Sequence, residues 1–271
     1  MDKERLIQIC KEMRQDCIVM ADAAGSSGMH FGGSLSMIEI IAALYLDVMH
    51  IDPDNLIDEK RDRMILSKGH GVPAVYAALK QLEILTEEDI RTFKQDNTVL
   101  SGHPSMNENL GIEFSTGSLG QGLSLGVGTA IALKHHGNNM SRVYVVLGDG
   151  ECDEGSVWEA AMSAAKFELD NLIVIVDKNN LQYDGCTEKI MPLKALEETF
   201  KSFGWSTVSI DGNDIEQCCN AFKTHTNNPL AVIANTIKGK GISFMENDPY
   251  WHHAKMTTSQ REIAIKEVSG D

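Results

Sequence analysis

Residues 143–180 read VYVVLGDGECDEGSVWEAAMSAAKFELDNLIVIVDKNN, and the fold class can be inferred from this stretch. It contains two apolar runs rich in β-branched residues, at 143–147 and 172–176. Uninterrupted apolar runs of this length are typical of strands that are buried on both faces. Because residues 156–167 between them have helical character, the stretch predicts a right-handed βαβ unit with two parallel strands.

The rest of the chain extends this unit into a larger sheet. Residues 64–66 form a short apolar run, and further strands are predicted at residues 207–210 and 231–237. The alternation of strands and helices predicts an α/β fold with a doubly wound, mostly parallel sheet flanked by helices. No linker, repeat or shift in composition divides the chain, so residues 1–271 are expected to form a single domain. The main predicted helices cover residues 3–24, 36–45, 72–82, 156–167, 214–224 and 258–268.

Composition and charge exclude several classes of protein. Hydrophobic residues make up 42% of the 271 residues and charged residues 23%, which excludes a disordered or fibrous chain. Acidic residues outnumber basic ones by 39 to 24, and the formal charge of −15 disfavours nucleic acids and anionic membrane surfaces as partners. There is no pattern of a signal peptide or a membrane span, so we expect a cytoplasmic location. The six cysteines form no CxxC pair and are expected to be reduced.

Polar residues follow both strands of the βαβ unit. The first strand runs into Gly148-Asp149-Gly150, and the second runs into Asp177-Lys178-Asn179-Asn180. Because the carboxyl ends of parallel strands share one edge of the sheet, Asp149 and Asn179 are expected to be neighbours. A carboxylate and an amide oxygen are hard ligands that suit Mg²⁺ or Ca²⁺. The alternative is that both are turn residues, which are common where loops begin.

A glycine-rich run, TGSLGQG at residues 116–122, precedes a predicted helix of small residues that continues to Leu133. A helix N-terminus with bare backbone binds diphosphates well. The run fits neither the dinucleotide nor the nucleoside triphosphate fingerprint, so close helix packing is the alternative interpretation.

Three histidines, His30, His70 and His103, each lie in a loop punctuated by glycine or proline. Loops of this kind often carry function, and imidazoles exchange protons near neutral pH. The three side chains are therefore candidates for contacts with substrate hydroxyls. By contrast, His135 and His136 are expected to lie at the solvated end of a helix.

Five motifs, in this order, resemble those of the transketolase family of thiamine diphosphate enzymes. They are RDRMILSKGHG at 61–71, SGHP at 101–104, STGSLGQG at 115–122, GDG at 148–150 followed by Asn179, and IDGND at 210–214. The resemblance covers residues 7–254, and the chain is similar to the N-terminal subunit of a transketolase split over two chains. It implies a fold of the thiamine diphosphate-binding type.

The resemblance also implies roles for individual residues. Asp149 and Asn179 would bind Mg²⁺ through their side chains and Leu181 through its main-chain carbonyl, with Ca²⁺ or Mn²⁺ as substitutes. The cofactor-binding residues would be His70, Gly117, Ser118, Leu119, Gly150, Glu154 and Asn179, of which Glu154 would lie where two halves of the cofactor site meet. The catalytic residues would be His30, His103 and His252, which would bind sugar hydroxyls and assist proton transfer.

The reaction implied by the resemblance is the transfer of a two-carbon ketol unit from a ketose to an aldose. In this family the glutamate that activates the aminopyrimidine of the cofactor, and most phosphate-binding arginines, lie on a second domain. We therefore expect activity only with a companion chain that carries the pyrimidine-binding and C-terminal domains, in a heterotetramer. A pentose phosphate is the default substrate, and apulose phosphate or a sulfonated sugar are alternatives.

Three positions depart from the family pattern. Phe31 and Ser118 stand where proline is usual, and His253 stands where glycine is usual. Phe31 is expected to narrow the mouth of the sugar site. His253 leaves open whether it or His252 faces the site.

Two other functions remain open. One is a subunit of another thiamine diphosphate enzyme, similar to deoxyxylulose-phosphate synthase or to the α subunit of a dehydrogenase E1. The loops SKGHG and GHP favour transketolase over both. The other is a non-catalytic binding subunit of the same fold, although every metal and histidine position of the motifs is filled.

Overall fold

Five parallel strands form the central sheet of the computed structural model, which describes residues 1–193 and 195–270. The strands are β1 Arg63–Leu66, β2 Val143–Gly148, β3 Leu172–Lys178, β4 Leu181–Gln182, β5 Gly185–Cys186, β6 Ser206–Asp211 and β7 Leu230–Asn235. The order across the sheet is β1-β2-β3-β7-β6, and a separate antiparallel hairpin pairs β4 with β5. The predicted βαβ unit is confirmed, because β2 and β3 pair in parallel from Val143 opposite Leu172 to Gly148 opposite Asp177.

Helices cover both faces of this sheet. On β2, Tyr144 and Val146 face one apolar core, whereas Val143, Val145 and Leu147 face the other. The helices are α1 Lys3–Ala24, α2 Gly32–Leu35, α3 Ile38–Ala43, α4 Val72–Gln81, α5 Glu87–Ile90, α6 Gly122–His135, α7 Gly155–Lys166, α8 Thr187–Ile190, α9 Leu196–Ser202, α10 Ile215–Phe222 and α11 Thr258–Ser269. The second core is closed by α6, α7 and α9, and the first by α1, α3, α4, α10 and α11. The doubly wound α/β fold is therefore confirmed.

The prediction of one continuous helix at residues 36–45 is wrong. The chain instead forms α2 and α3 with a break at Met37, and then a wide helical turn over Leu44–Val48. The break has a physical cause, because the carbonyl of Ser36 accepts a hydrogen bond from Asn213 and its hydroxyl donates to Asp177. Residues 31–45 are buried on every side, so packing overrides helical periodicity there.

Other predicted features agree with the structure. All six cysteines are free, and five of them are buried. His135 and His136 are exposed at the end of α6. Within the described ranges, every helix is too short or too polar to traverse a bilayer. The predicted single domain includes Lys194 and Asp271, which lie outside the described residues.

The stability of the sheet provides a first test. Ile175 lies in the central strand β3 and is completely buried. Ile175→Ala should lower the free energy of unfolding by about 2 to 5 kcal/mol, since it leaves a cavity in the core. Urea denaturation of the full chain measures the loss.

The matched control is Ile263→Ala on α11, where the side chain is 47% exposed. Its effect should stay within about 0.5 kcal/mol. Equal losses in the two variants would contradict the placement of β3 at the centre of the core.

Candidate functional site

The loops after β2 and β3 lie side by side at the carboxyl edge of the sheet. Gly148 pairs with Asp177 at the last position of the ladder, so the two chains leave the sheet together. The Asp149 carboxylate accepts hydrogen bonds from the main-chain N–H of Asn180 at 2.6 Å and of Gly150 at 3.0 Å. Asp149 and Asn179 are both buried and are neighbours, as the strand arrangement predicts.

A cavity of about 320 Å³ opens at this edge. It is lined by side chains and backbone from the loops after β1, β2, β3 and β7, together with the β4–β5 hairpin. Most of the residues implied by the family resemblance share it. They are His70, Leu119, Asp149, Gly150, Glu154, Asn179, Leu181 and His252.

Five histidines form a cluster beside the cavity. His30 lies at its centre, with ring centroids 5.3 Å from His70, 5.6 Å from His103, 5.5 Å from His252 and 4.5 Å from His253. His70 and His252 are also in contact, at 5.1 Å. The loops of His30, His70 and His103 are distant in sequence but meet here with the segment after β7. Every histidine that the sequence singles out for catalysis is therefore in one cluster.

The imidazoles of this cluster are neutral at pH 7. Burial, together with the neighbouring histidines, lowers the pKa of His30 to about 3. Burial and then the nearby Lys238 ammonium lower the pKa of His252 to about 4. Burial also lowers the pKa values of His70, His103 and His253. Each neutral ring has one N–H donor and one acceptor nitrogen, which suits the binding of sugar hydroxyls.

The departures from the family pattern have different outcomes. The expectation that Phe31 narrows the sugar site is wrong, because its side chain is 1% exposed and packs edge-on against Trp251. His252 lines the cavity, and His253 is exposed beside His30. Ser118 is exposed and is not among the residues that line the cavity.

The glycine-rich run approaches the site from the other side. A side chain at Gly117 would come within 3.0 Å of the His103 ring, so this backbone lies directly against the cluster. The main-chain N–H of Gly120 donates to the buried Glu151 carboxylate at 2.8 Å. Glu151 also accepts from Gly148 N–H at 3.0 Å and from the Ser67 hydroxyl. This carboxylate therefore holds the glycine-rich run against the loop of Asp149.

Sequence reasoning missed four charged residues that organise the site. Asp177 is completely buried and accepts hydrogen bonds from Lys68, Ser36, Thr236 and Asn179. Lys238 is 2% exposed and donates to the Leu181 carbonyl at 2.7 Å. The sequence contains a partial indication of two of them, because Lys68 belongs to the SKGHG motif and Asp177 directly follows a predicted buried strand. The four residues are Lys68, Glu151, Asp177 and Lys238.

The charges of these groups follow from their surroundings. Burial would raise the pKa of Asp177, but the Lys68 ammonium and three hydroxyl or ammonium hydrogen bonds outweigh it and hold the pKa below its usual value. Burial, together with the charge of Lys68, lowers the pKa of Lys238 to about 8. Burial, with the charge of Asp177, raises the pKa of Asp149 to about 6.

The donor set fits a hard divalent cation with a diphosphate. Asp149 is a buried carboxylate with no cationic side chain bonded to it among the described residues, and a metal ion would supply that charge. The Leu181 carbonyl keeps a second lone pair beside its bond from Lys238. In the described ranges no three His, Cys, Asp or Glu side chains converge as a metal site. The buried Gln182 Oε1 in the cavity wall has no hydrogen-bond donor among the described residues, so it can accept a hydrogen bond from a ligand.

Comparison with known proteins identifies the family. The family profile described as "Transketolase, thiamine diphosphate binding domain" matches residues 4–268. The chain is 42% identical over 243 residues to one subunit of the apulose-4-phosphate transketolase of Phocaeicola vulgatus, covering 89% of this chain and 86% of the relative. It is 44% identical over 244 residues to the 6-deoxy-6-sulfo-D-fructose transketolase subunit SqwG of Clostridium sp. strain MSTE9, covering 88% of each.

Solved structures give the same result. The crystal structure of transketolase from Campylobacter jejuni superposes with a TM-score of 0.88 at 28% identity and covers 99% of this chain. The chain spans 43% of the length of that transketolase, but most of the length of both subunits named above. The sheet, the cavity and these matches agree, and the chain belongs to the thiamine diphosphate-binding domain family of transketolases.

Proposed function

We propose that this chain is the diphosphate- and metal-binding half of a two-chain transketolase. It would transfer a two-carbon ketol unit from a ketose donor to an aldose acceptor. One observation carries the proposal: a single cavity brings the oxygen donors of Asp149, Asn179 and Leu181 next to a cluster of neutral histidines. A subunit that only binds ligands, without catalytic function, has no need for the histidine cluster.

The metal site is the first part of this proposal. Mg²⁺ would be held by the Asp149 carboxylate, the Asn179 amide oxygen and the Leu181 carbonyl, and Ca²⁺ or Mn²⁺ could take its place. Gly150 and His70 would bind the diphosphate, and Gly117, Ser118 and Leu119 would lie on the thiazolium side of the cofactor. The bound cofactor supplies the carbon nucleophile, while the chain positions it and handles protons.

The histidines handle the sugar. His30, His103 and His252 form hydrogen bonds with the hydroxyls near the reacting carbons, because a neutral imidazole can donate or accept. The crowding of four other imidazole rings around His30 keeps all five rings neutral and limits the water beside the reacting atoms. The substrate class is a ketose that bears an anionic group, as the names of the two subunit relatives indicate for those proteins.

The companion chain completes the site. Both split relatives are named as transketolase subunits, and this chain corresponds to less than half of a full transketolase. Leu119 and Glu154 are exposed at the rim of the cavity, where a partner surface can meet them. Residues 1–271 form one domain, and the pyrimidine-binding and C-terminal domains lie on the companion chain in a heterotetramer.

Removal of the metal ligand tests the cofactor site. Asp149→Ala should weaken Mg²⁺-dependent binding of thiamine diphosphate by about 100-fold or more, because it removes the only carboxylate of the donor set. Isothermal titration calorimetry on the chain with its companion measures the affinity. The matched control is Asp153→Ala, which removes the same charge from the same loop and should change the affinity less than about threefold. Equal affinities in wild type and Asp149→Ala would contradict the assignment.

Reconstitution tests the need for a partner. The purified chain should show no ketol transfer, and addition of the companion chain should restore it, because half of the site is missing from the chain alone. Product formation from a panel of ketose phosphate and sulfonated ketose donors with an aldose acceptor is the measurement. Robust turnover by the chain without any companion would overturn the two-chain proposal.

The neutral histidines predict a pH dependence of stability. The pKa of His30 is lowered to about 3 in the folded chain. Below about pH 6.5 its imidazole is therefore protonated in the unfolded chain but stays neutral in the folded chain. Stability should therefore fall as the pH drops from 7 to 5, and His30→Asn should make this fall shallower. Urea denaturation at several pH values tests this. His135→Asn, at an exposed histidine, should leave the slope unchanged, and an unchanged slope in His30→Asn would refute the prediction.

A further inference from the structure

Lys238 connects the loop of Leu181 to the histidine cluster. Its Nζ donates to the Leu181 carbonyl at 2.7 Å and lies 3.1 Å from Nδ1 of His252. The side chain is 2% exposed, and its stem runs over Gly32, where a Cβ would come within 2.8 Å of Lys238 Cε. The ammonium is therefore held in one place beside the ring.

The chemistry of this contact decides which nitrogen of His252 carries its proton. An ammonium has three N–H donors and no lone pair, so Nδ1 of His252 must accept. A neutral imidazole has one proton, which must then lie on Nε2. Burial and the charge of Lys238 keep the ring neutral, since they lower its pKa to about 4.

We propose that Lys238 is a positioning residue that fixes His252 as the Nε2–H tautomer, so that this ring offers a hydrogen-bond donor to the substrate. The significance for catalysis rests on the proposed function, in which His252 binds a sugar hydroxyl. The Leu181 carbonyl serves as the second anchor of the ammonium. The ring is thereby tied to the loop that also carries Asn179.

Other cations near the cluster do not share this role. Lys68 donates its hydrogen bonds to the Asp177 carboxylate and to the Gly33 carbonyl. Lys94 donates to the Gly28 carbonyl at 2.9 Å, and none of its hydrogen bonds reaches an imidazole nitrogen. Among the described residues, Lys238 is the cation whose nitrogen lies at hydrogen-bond distance from a ring nitrogen of the cluster.

Long-range ¹H–¹⁵N NMR of the histidine rings in the full chain at pH 7 reads the tautomer directly, and His252→Gln assigns the signal. We expect a protonated Nε2 and a bare Nδ1 in the wild type. Lys238→Met should give a mixture of tautomers or the Nδ1–H form. Lys238→Arg should retain the wild-type form, because a guanidinium also has only donors. Lys94→Met is the matched control and should leave His252 unchanged.

Two results would overturn the proposal: an Nδ1–H ring in the wild type, or an unchanged Nε2–H ring in Lys238→Met. The Lys238→Arg variant keeps the charge and the donors, so it provides a reading even if Lys238→Met does not fold. A loss of the Nε2–H form in a folded Lys238→Arg protein would also count against the proposal.

The NMR reading needs neither cofactor, sugar nor companion chain, so it stands apart from the proposed function. In the complex with the companion chain, Lys238→Met should lower kcat by about 10- to 100-fold with KM changed less than about threefold, since orientation of a catalytic histidine is lost. Absence of ketol transfer in the wild-type complex would contradict the proposed function and leave the tautomer result intact. Full kcat in Lys238→Met would contradict the catalytic role of the tautomer.

Discussion

The buried carboxylate of Asp177 is the interaction on which the rest of the site depends. It lies at the end of the central strand and is fully excluded from solvent, so it is stable as an anion only because other groups bond to it. Its partners come from four different segments of the chain: Lys68, Ser36, Thr236 and Asn179. One charge therefore sets the relative positions of the loops that carry the candidate metal ligand Asn179 and the clustered histidines. Loss of any one partner would leave the buried carboxylate with too few hydrogen bonds to stabilise its charge. The arrangement therefore favours all four contacts at once.

The local charges explain how an acidic chain can take an anionic ligand. The formal charge of −15 is unfavourable for a diphosphate or an anionic sugar at long range. Within the site, however, Lys68 and Lys238 are buried cations, and the low exposure of the cavity walls reduces screening of their charges. The neutral histidines add hydrogen-bond donors without adding charge. The field that a ligand meets is therefore set by these few groups and a bound metal ion.

The sequence predicted those features that depend on local pattern. Apolar runs predicted β2 and β3, and the rule that parallel strands end at one edge predicted that Asp149 and Asn179 are neighbours. It could not predict which charged residues are buried, because lysine is normally exposed and the partner of Lys68 lies 109 residues away. The error at Phe31 has the same origin. Its neighbour His30 is in the site, but the ring packs against Trp251, which no local pattern indicates.

The carboxyl edge of this sheet is proposed to hold a metal ion and a diphosphate, with a second chain closing over them. The decisive experiment is a crystal structure of the chain with its companion, Mg²⁺ and thiamine diphosphate. We expect Mg²⁺ at about 2.0–2.1 Å from oxygens of Asp149, Asn179 and Leu181, with the pyrimidine end of the cofactor against the companion chain. A metal ion held by other residues, or a cofactor enclosed by this chain alone, would contradict it.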